Sequence, residues 1–310
     1  MRFLSEEQTA ALITHEIAYD AVKSAFISAA SGTATVFPAV IAHGADPANV
    51  FTLKSGSSTD YAGVKIGSYW PCNDSRGIPR HGTTVLVIDQ ATGHIAAAVE
   101  AAKVNAYRTA AADAVAADVL ALPEARTLTV FGNGHQAFYG CLALTRIRPI
   151  ERILVVARDP GRGERFCRQL VDHGLHAVVT PAQQACTEAD IITAATNATS
   201  PLFDAGWVTP GTHVASIGSD SRGKQELPTG LHDRARLFCD LPTQSMNIGE
   251  FQHVANRVAS GALTLTAIGS VLNGTAPGRV SADDITIFDS SGIALQDLAV
   301  ATALLELAGS

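Results

Sequence analysis

Three charged residues stand in largely uncharged surroundings and could take part in chemistry. Lys65 lies inside an apolar run, Arg108 opens a stretch rich in alanine, and Asp220 follows a predicted strand and a glycine. If protein covers a lysine, its pKa falls, and it can donate a proton or bind a carboxylate. A guanidinium can bind a carboxylate through two parallel hydrogen bonds, and an aspartate can transfer a proton or stabilise a cation.

Each of these residues also has an ordinary structural interpretation. The alternation of side chains along a strand allows Lys65 to point into solvent. Arg108 could form a surface pair with Asp113 or Asp118. Asp220 could be a turn residue or a helix N-cap. Residue types alone leave both interpretations open.

A glycine turn within residues 126–159 indicates where a cofactor would bind. An apolar run, 128–131, leads into Gly132-Asn133-Gly134, a helical stretch follows, and a second apolar run closes a βαβ unit. The first glycine permits a tight turn, and the second lets a pyrophosphate approach the helix N-terminus. Ala137 stands at the third glycine position of the dinucleotide-binding pattern. The pattern predicts dinucleotide binding, with a purely structural turn as the alternative. The predicted contacts are Gly132, Asn133, Gly134, His135 and Gln136.

The end of the next strand bears on the choice between NAD and NADP. Arg158 suits the 2′-phosphate of NADP, whereas Asp159 suits the free ribose hydroxyls of NAD. Both residues are predicted cofactor contacts, and the sequence leaves the choice of NAD(P) undecided.

The strand and helix patterns divide the chain into two predicted domains. Residues 35–100 read as short antiparallel strands, whereas residues 123–283 alternate between strands and helices. The alternating part predicts an α/β, Rossmann-type doubly wound parallel sheet. Thr196, Gly218 and Ser219 fall at its carboxyl edge and are further predicted cofactor contacts. We expect this dinucleotide-binding domain at 123–283 and an α+β domain at 1–122 and 284–310, because the last helix should return to the first domain.

Composition narrows the classes of function. With 310 residues, 47% of them hydrophobic, the chain can bury a large core. The formal net charge of −7 argues against nucleic acid or an anionic membrane as a partner. Five scattered cysteines and the lack of a signal-peptide pattern predict a cytoplasmic protein with free thiols. Histidines and carboxylates do not cluster at metal-binding spacings, so no metal is expected.

Several segments together resemble the ornithine cyclodeaminase/mu-crystallin family. They are GVKIGSYWP with Lys65, IDQATGHIAA, YRTAAADAVAADVL with Arg108, GNGHQA, VASIGSDSRGKQEL with Asp220, and SSGIALQDLA. The segments occur in the family's order and span nearly the whole chain. The resemblance implies a Rossmann-type domain, a substrate-binding domain built from both chain ends, and a homodimer joined through the substrate domains. It further implies that Arg108 and Lys65 bind substrate and that Lys65 and Asp220 are catalytic.

The chain departs from the family pattern at Val40, where members usually carry an arginine in a Pro-x-Arg strand. Lys54 and Ser55 on the neighbouring strand could replace that arginine in substrate binding, and Arg80-His81 is another candidate. The stretches KSG and GSYWP resemble imine reductases that act on dicarboxylates, such as iminosuccinate reductases. An additional cation would suit a second carboxylate.

The resemblance therefore implies NAD(P)H-dependent reduction of the imine of a small 2-oxo acid to an amino acid. Two alternatives stay open because the family includes other activities. One is a cyclodeaminase, a lyase that releases ammonia and keeps NAD tightly bound. The other is an NADPH-dependent binding protein of the crystallin kind.

Overall fold

The computed structural model of the chain describes residues 1–309, which form two compact units. The first unit is Met1–Arg108 with residues 293–309, and the second is Thr109–Gly292. The strands are β1 (Arg2–Leu4), β2 (Thr35–Val36), β3 (Val40–His43), β4 (Val50–Ser57), β5 (Ala62–Tyr69), β6 (His81–Ile88), β7 (Ile95–Glu100), β8 (Thr127–Phe131), β9 (Arg152–Val156), β10 (Ala177–Val179), β11 (Ile191–Ala194), β12 (His213–Ser216), β13 (Ala235–Cys239), β14 (Leu265–Ala267) and β15 (Ile285–Asp289). The α-helices are α1 (Glu6–Leu12), α2 (His15–Ala30), α3 (Ala102–Leu120), α4 (His135–Ile147), α5 (Pro160–Val171), α6 (Ala182–Glu188), α7 (Pro242–Ile248), α8 (Ala255–Ala259), α9 (Ile268–Leu272) and α10 (Ala294–Leu307).

The first unit contains one mixed sheet with helices on one side. Within residues 1–309 the strand order is β1-β7-β6-β5-β4-β2, and β3 also pairs with β4. Neighbours from β2 to β7 run antiparallel, as the sequence predicts, and short turns connect β4 to β5 and β6 to β7. The parallel pairing of β1 with β7 is a feature that the sequence analysis missed.

The two faces of this sheet differ in what covers them. The inner face bears Lys65 and its cross-strand neighbours Lys54 and Val85, and α10 packs over β4, β5 and β6 on this side. Helix α10 is apolar around most of its circumference, and residues 294–301 are all buried. The outer face bears Ile66, its neighbour Leu53 and, beyond it, Val40.

The second unit has the predicted Rossmann-type architecture. The strands of its sheet are all parallel across the described residues, in the order β10-β9-β8-β11-β12-β15-β13-β14. Such strands are buried on both faces, and accordingly β8, β11, β12 and β15 consist of buried residues. The α/β fold class predicted from the alternating pattern is confirmed.

The units divide at 108/109 and 292/293, whereas the sequence placed the domain boundaries at 122/123 and 283/284. The first division falls inside α3, a continuous helix whose patterning offers no break. The second differs because β15 lies between β12 and β13 in the parallel sheet. Strand β15 therefore belongs to the second unit, and only the helix after it belongs to the first.

Helix α3 is fixed at both ends by charged side chains. Glu6 accepts hydrogen bonds from the backbone amides of Ala102 and Lys103, each at 2.8 Å. At the other end, Arg148 donates to several backbone carbonyls, including that of Leu122 at 3.0 Å and that of Asp118 at 2.6 Å. A carboxylate at the N-terminus and a guanidinium at the C-terminus both oppose the helix dipole.

Four of the five cysteines are buried and Cys72 is exposed, and all five are free thiols. Within residues 1–309, no helix combines the length and the apolar character that crossing a membrane requires.

Candidate active site

Lys65 and Arg108 meet around one carboxylate in the first unit. Lys65 Nζ donates to Asp297 Oδ1 at 2.8 Å, and Arg108 Nε donates to the same oxygen at 3.0 Å. Asn105 Oδ1 accepts from both cations, at 2.6 Å from Lys65 Nζ and at 2.8 Å from Arg108 Nη2. Arg108 Nη1 also approaches Gln296 Oε1 at 3.4 Å. Lys65, Arg108 and Asp297 are all buried, so this is an internal ionic cluster and not a surface pair.

Three elements supply the cluster, and local geometry explains each contribution. Lys65 projects from the inner face of β5, where α10 covers the sheet. Asn105 and Arg108 are three residues apart on α3 and therefore lie on one face of that helix. Asp297 lies in the first turn of α10, where the positive end of the helix dipole favours a carboxylate.

The charges within the cluster shift the pKa values of Lys65 and Asp297. Burial and the nearby charge of Arg108 lower the pKa of Lys65 to about 7, although Asp297 acts in the opposite direction. Burial alone would raise the pKa of Asp297, but the charges of Arg108 and Lys65 outweigh it and hold that pKa below its ordinary value. Lys54 is close enough for its charge to act on both Lys65 and Asp297. Among the described residues, Lys65 and Arg108 thus share the carboxylate of Asp297, and two cations on one carboxylate favour binding an anion.

The structure gives the positions of Arg108 and Lys54, for which the sequence left alternatives open. Arg108 does not take up the surface pairing considered above, because Asp113 accepts from Thr193 and Asp118 pairs with Arg148. Lys54 is the direct cross-strand neighbour of Lys65 and shares the inner face.

Ser55 is not brought to the cluster. It pairs with Val64 in the register of β4 and β5, and adjacent strand residues point to opposite faces. Its side chain therefore lies on the outer face, away from Lys65, and its predicted role in substrate binding needs correction. Arg80 forms an exposed ion pair with Asp74.

The glycine turn of the second unit has the geometry that a dinucleotide requires. Gly132 has a φ of +112°, and a Cβ there would lie 2.6 Å from the carbonyl oxygen of Ala195. Gly134 is the N-cap of α4, and no described atom lies within 4 Å of where its Cβ would be. Within the described residues no side chain caps this helix, so its first amides stay available to a phosphate. His135 is exposed at the first position of α4, while Asn133 and Gln136 are half-buried beside it.

The residues predicted to select the cofactor lie at the end of β9. Arg158 and Asp159 are both exposed. Asp159 is the N-cap of α5, and its Oδ1 accepts from the amide of Arg162 at 2.9 Å. One carboxylate oxygen of Asp159 is therefore used within the protein, and the choice of cofactor is not decided by this geometry.

The remaining predicted residues lie just beyond β11 and β12, at the carboxyl edge of the parallel sheet. Thr196 is two residues past the end of β11, and Gly218 and Ser219 follow β12. Asp220 is exposed and forms an ion pair with Lys224 at 2.6 Å. Lys224 also donates to the carbonyl of Gly218 at 3.1 Å. Neither Lys224 nor the buried Glu226 near it was predicted as a site residue from the sequence, although both belong to the segment VASIGSDSRGKQEL.

A parallel doubly wound sheet with an uncapped helix after its glycine turn defines the Rossmann-type class of proteins. The chain belongs to the ornithine cyclodeaminase/mu-crystallin family, whose model matches residues 2–310.

Comparison with known proteins places a reductase and a dehydrogenase among the similar ones. The iminosuccinate reductase of Paracoccus denitrificans is 36% identical over 99% of this chain and 97% of its own length. Its crystal structure in complex with NAD+ has a TM-score of 0.93, covering 100% of this chain and 96% of that one. The alanine dehydrogenase of Archaeoglobus fulgidus is 32% identical over 98% of this chain and 94% of its own. An archaeal alanine dehydrogenase dimer with bound NAD has a TM-score of 0.91 at 31% identity, covering 99% of this chain and 96% of that one.

A lyase is also among the relatives. The ornithine cyclodeaminase of Agrobacterium fabrum is 32% identical over 84% of this chain and 72% of its own length.

Proposed function

We propose that this protein is an NAD(P)H-dependent oxidoreductase that reduces the imine of a small 2-oxo acid to an amino acid. The observation that carries the proposal is the buried cluster of Lys65 and Arg108 around Asp297, with Lys54 beside it. Buried cations in excess of carboxylates bind an anion strongly, because their charges are poorly screened by water. The reductases among the similar proteins, each described with bound NAD, support the same reaction class.

Arg108, Lys65 and Asp220 would each have a separate role in the reaction. Arg108 binds the substrate carboxylate with the two guanidinium N–H groups that do not donate to Asp297, Gln296 or Asn105. Lys65, whose pKa is about 7, is protonated in about half of the molecules at neutral pH, and its protonated Nζ can deliver a proton to the imine nitrogen. Asp220 contributes a carboxylate that stabilises the positive charge of the iminium. A reduced nicotinamide cofactor, with its pyrophosphate at the glycine turn, would supply the hydride.

The proposed substrate class is a dicarboxylate. A monocarboxylate needs one cation, and Arg108 supplies it. Lys54 stands next to Lys65 on the inner face and offers a further ammonium group for a second carboxylate. Lys54 is half-buried, as a lysine that binds a ligand must be.

A substrate panel tests the proposal. Oxaloacetate, pyruvate, glyoxylate and cyclic imines are each supplied with ammonia or methylamine where needed, and oxidation of NADH and of NADPH is followed by absorbance. We expect steady oxidation, fastest with oxaloacetate plus ammonia. Lys54→Met should lower kcat/KM for oxaloacetate far more than for pyruvate. Absence of oxidation with every substrate would refute the reductase proposal.

A cyclodeaminase is the second candidate, because an ornithine cyclodeaminase is among the relatives. Ammonia release from ornithine without net change in NADH would identify that activity. Retention of NADPH with no turnover of any substrate would instead indicate a binding protein of the crystallin kind.

We also propose a homodimer formed through the outer face of the first sheet. Exposed apolar side chains on that face include Phe3 and Val40, which are 57% and 53% exposed, and Ile66 at 36%. A contiguous apolar face on a sheet is typical of a protein interface. An alanine dehydrogenase dimer is among the similar structures. The five free thiols support a reducing compartment, and we propose the cytoplasm.

A further inference from the structure

Glu226 has an unusual position for a carboxylate. Its side chain is completely buried, and it accepts hydrogen bonds from the segments that follow two neighbouring strands. Oε1 accepts from the backbone amide of Thr196 at 2.6 Å and from the Thr196 hydroxyl at 2.8 Å. Oε2 accepts from the amide of Gly218 and from the hydroxyl of Ser216, each at 2.8 Å. One carboxylate thus joins the segment after β11 to the end of β12.

The loop that carries Asp220 is closed by this carboxylate. The chain leaves β12 at Ser216, passes through Asp220 and returns at Glu226, so the side chain of the last residue bonds to the beginning of the loop. Gly218 fits only without a side chain, because a Cβ there would collide with Thr196 and Glu226. A bridge between Thr199 and Gln225 fixes the returning strand against the neighbouring loop.

We propose that Glu226 is a positioning residue that holds the loops after β11 and β12 at the separation nicotinamide binding needs. The inference rests on the proposed function, since it assigns the purpose of that separation to the cofactor. Glu226 does not touch the reacting atoms in this role. It acts through the backbone of Thr196 and Gly218, which are proposed cofactor contacts.

The surroundings of Glu226 explain why a carboxylate is needed. Four donors converge on its two oxygens, and a carboxylate is the side chain that accepts at every position without donating. Glu250 lies next to it and accepts from the amides of Glu226 and Leu227, each at 2.9 Å. Burial raises the pKa of both Glu226 and Glu250, because removing a carboxylate from water disfavours its charged form.

Glu226→Gln tests the proposal because it preserves the size of the side chain and replaces one acceptor by a donor. Either Thr196 or Gly218 then presents a backbone amide to an NH2 group. An unsatisfied buried amide should weaken NADH binding about tenfold or more. We expect the KM for NADH to rise by that factor, with a change of less than about threefold in the KM for the imine. Hydrogen exchange of residues 196–199 and 217–226, measured without cofactor, should become about tenfold faster.

Asp190→Asn is the control for the loss of a carboxylate charge in this unit. Asp190 is a half-buried carboxylate that accepts from the amides of Arg126 and Thr127, each at 2.8 Å, at the opposite edge of the same sheet. The same chemical change there should leave the KM for NADH and the exchange of both loops unaltered. If Glu226→Gln does not fold, Glu226→Asp replaces it, because its shorter carboxylate reaches one loop and not both.

Unchanged NADH affinity and unchanged exchange in Glu226→Gln would overturn the proposal. Equal losses in Glu226→Gln and Asp190→Asn would overturn it too, since they would indicate general destabilisation. If the wild type neither binds NADH nor reduces an imine, the proposed function fails. The exchange of the two loops without cofactor then still decides whether Glu226 holds them.

Discussion

Lys65 is an ammonium group buried beside a guanidinium, and among the described residues one carboxylate, that of Asp297, pairs with both charges. Removing charged groups from water costs free energy, and the cost is largest where partners are too few. A folded protein tolerates such a deficit where a ligand completes the charge balance. Because Asp297 Oδ2 has no hydrogen-bond partner among residues 1–309, the cluster is also incomplete in its hydrogen bonding. Both features fit a site that a carboxylate substrate completes.

The pH dependence of the reaction tests the role of Lys65. Its pKa is lowered to about 7, so the protonated form is lost as the pH rises through neutrality. If Lys65 donates the proton, kcat/KM should fall tenfold per pH unit above about 7. Lys65→Arg should remove this alkaline limb, because a guanidinium stays protonated, and should also lower the rate. Persistence of the limb in that variant would exclude Lys65 as its source.

Asp220 provides a second test at the level of single residues. It is exposed and paired with Lys224, so its loss should disturb the fold little. We expect Asp220→Asn to retain NADH affinity while turnover falls about a hundredfold or more. NADH titration and steady-state kinetics on the same preparation measure both quantities. Unchanged turnover would assign Asp220 to the turn role that the sequence also allowed.

At the scale of elements, helix α3 contains a buried carboxylate, that of Asp113, whose removal from water costs free energy. Asp113 is 1% exposed, and its Oδ2 accepts from the Thr193 hydroxyl at 3.0 Å. Its Oδ1 has no partner within the described part of the chain. Burial raises the pKa of Asp113 from 3.8 to about 7, and the bond from Thr193 only partly opposes this.

Stability should therefore depend on pH through Asp113. The stabilising contribution of its protonated form is fully present below pH 3.8, the ordinary value, and is lost as the pH rises through about 7. Asp113→Asn should be more stable than the wild type at pH 8, by up to about 4 kcal/mol, and should lose this advantage near pH 4. Urea unfolding at both pH values measures the difference. Thr193→Val should enlarge the pH dependence of the wild type, because it removes the opposing hydrogen bond. A pH-independent difference for Asp113→Asn would contradict the assignment.

The elements were largely predictable because their signals are local. Alternating strands and helices identified the parallel sheet, and two glycines identified the turn before α4. The position of β15 was not predictable in this way, since its neighbours β12 and β13 are chosen by long-range packing. The error at Ser55 was avoidable, because Lys54 and Ser55 are adjacent in a strand and cannot share a face.

The contacts within the candidate site were harder to predict from the sequence. Asp297 lies 232 residues from Lys65 and 189 from Arg108 in the sequence, and no local sequence pattern predicts contacts over such separations. The segment containing Asp297 was recognised only as part of the family resemblance. Glu226 was overlooked because a single glutamate in a loop reads as a solvated residue, and its burial depends on the fold of the whole unit.

At the scale of the whole molecule, the apolar outer face of the first sheet predicts the assembly. Ile66→Glu places a charge at the centre of that face, opposite Leu53. We expect the wild type to be a dimer and this variant to be a monomer at micromolar concentration, because burying an unpaired charge is unfavourable. Light scattering after size-exclusion chromatography measures the mass.

Val178→Glu is the control for this experiment. Val178 is 46% exposed on β10 of the other unit, comparable to Ile66, so the variant should remain a dimer. A monomeric wild type, or dissociation of both variants, would refute the proposed interface.

The return of α10 to the first unit has a consequence for the order of events during synthesis. Residues 109–292 form a continuous unit and can fold as soon as they have been translated. Lys65 and Arg108 are made early, yet their partner Asp297 emerges only after that entire stretch. Until then the inner face of the first sheet stays uncovered and its buried cations lack their counter-ion. The part of the chain that is made first is therefore the part that finishes folding last, and it is the part that a chaperone would have to protect.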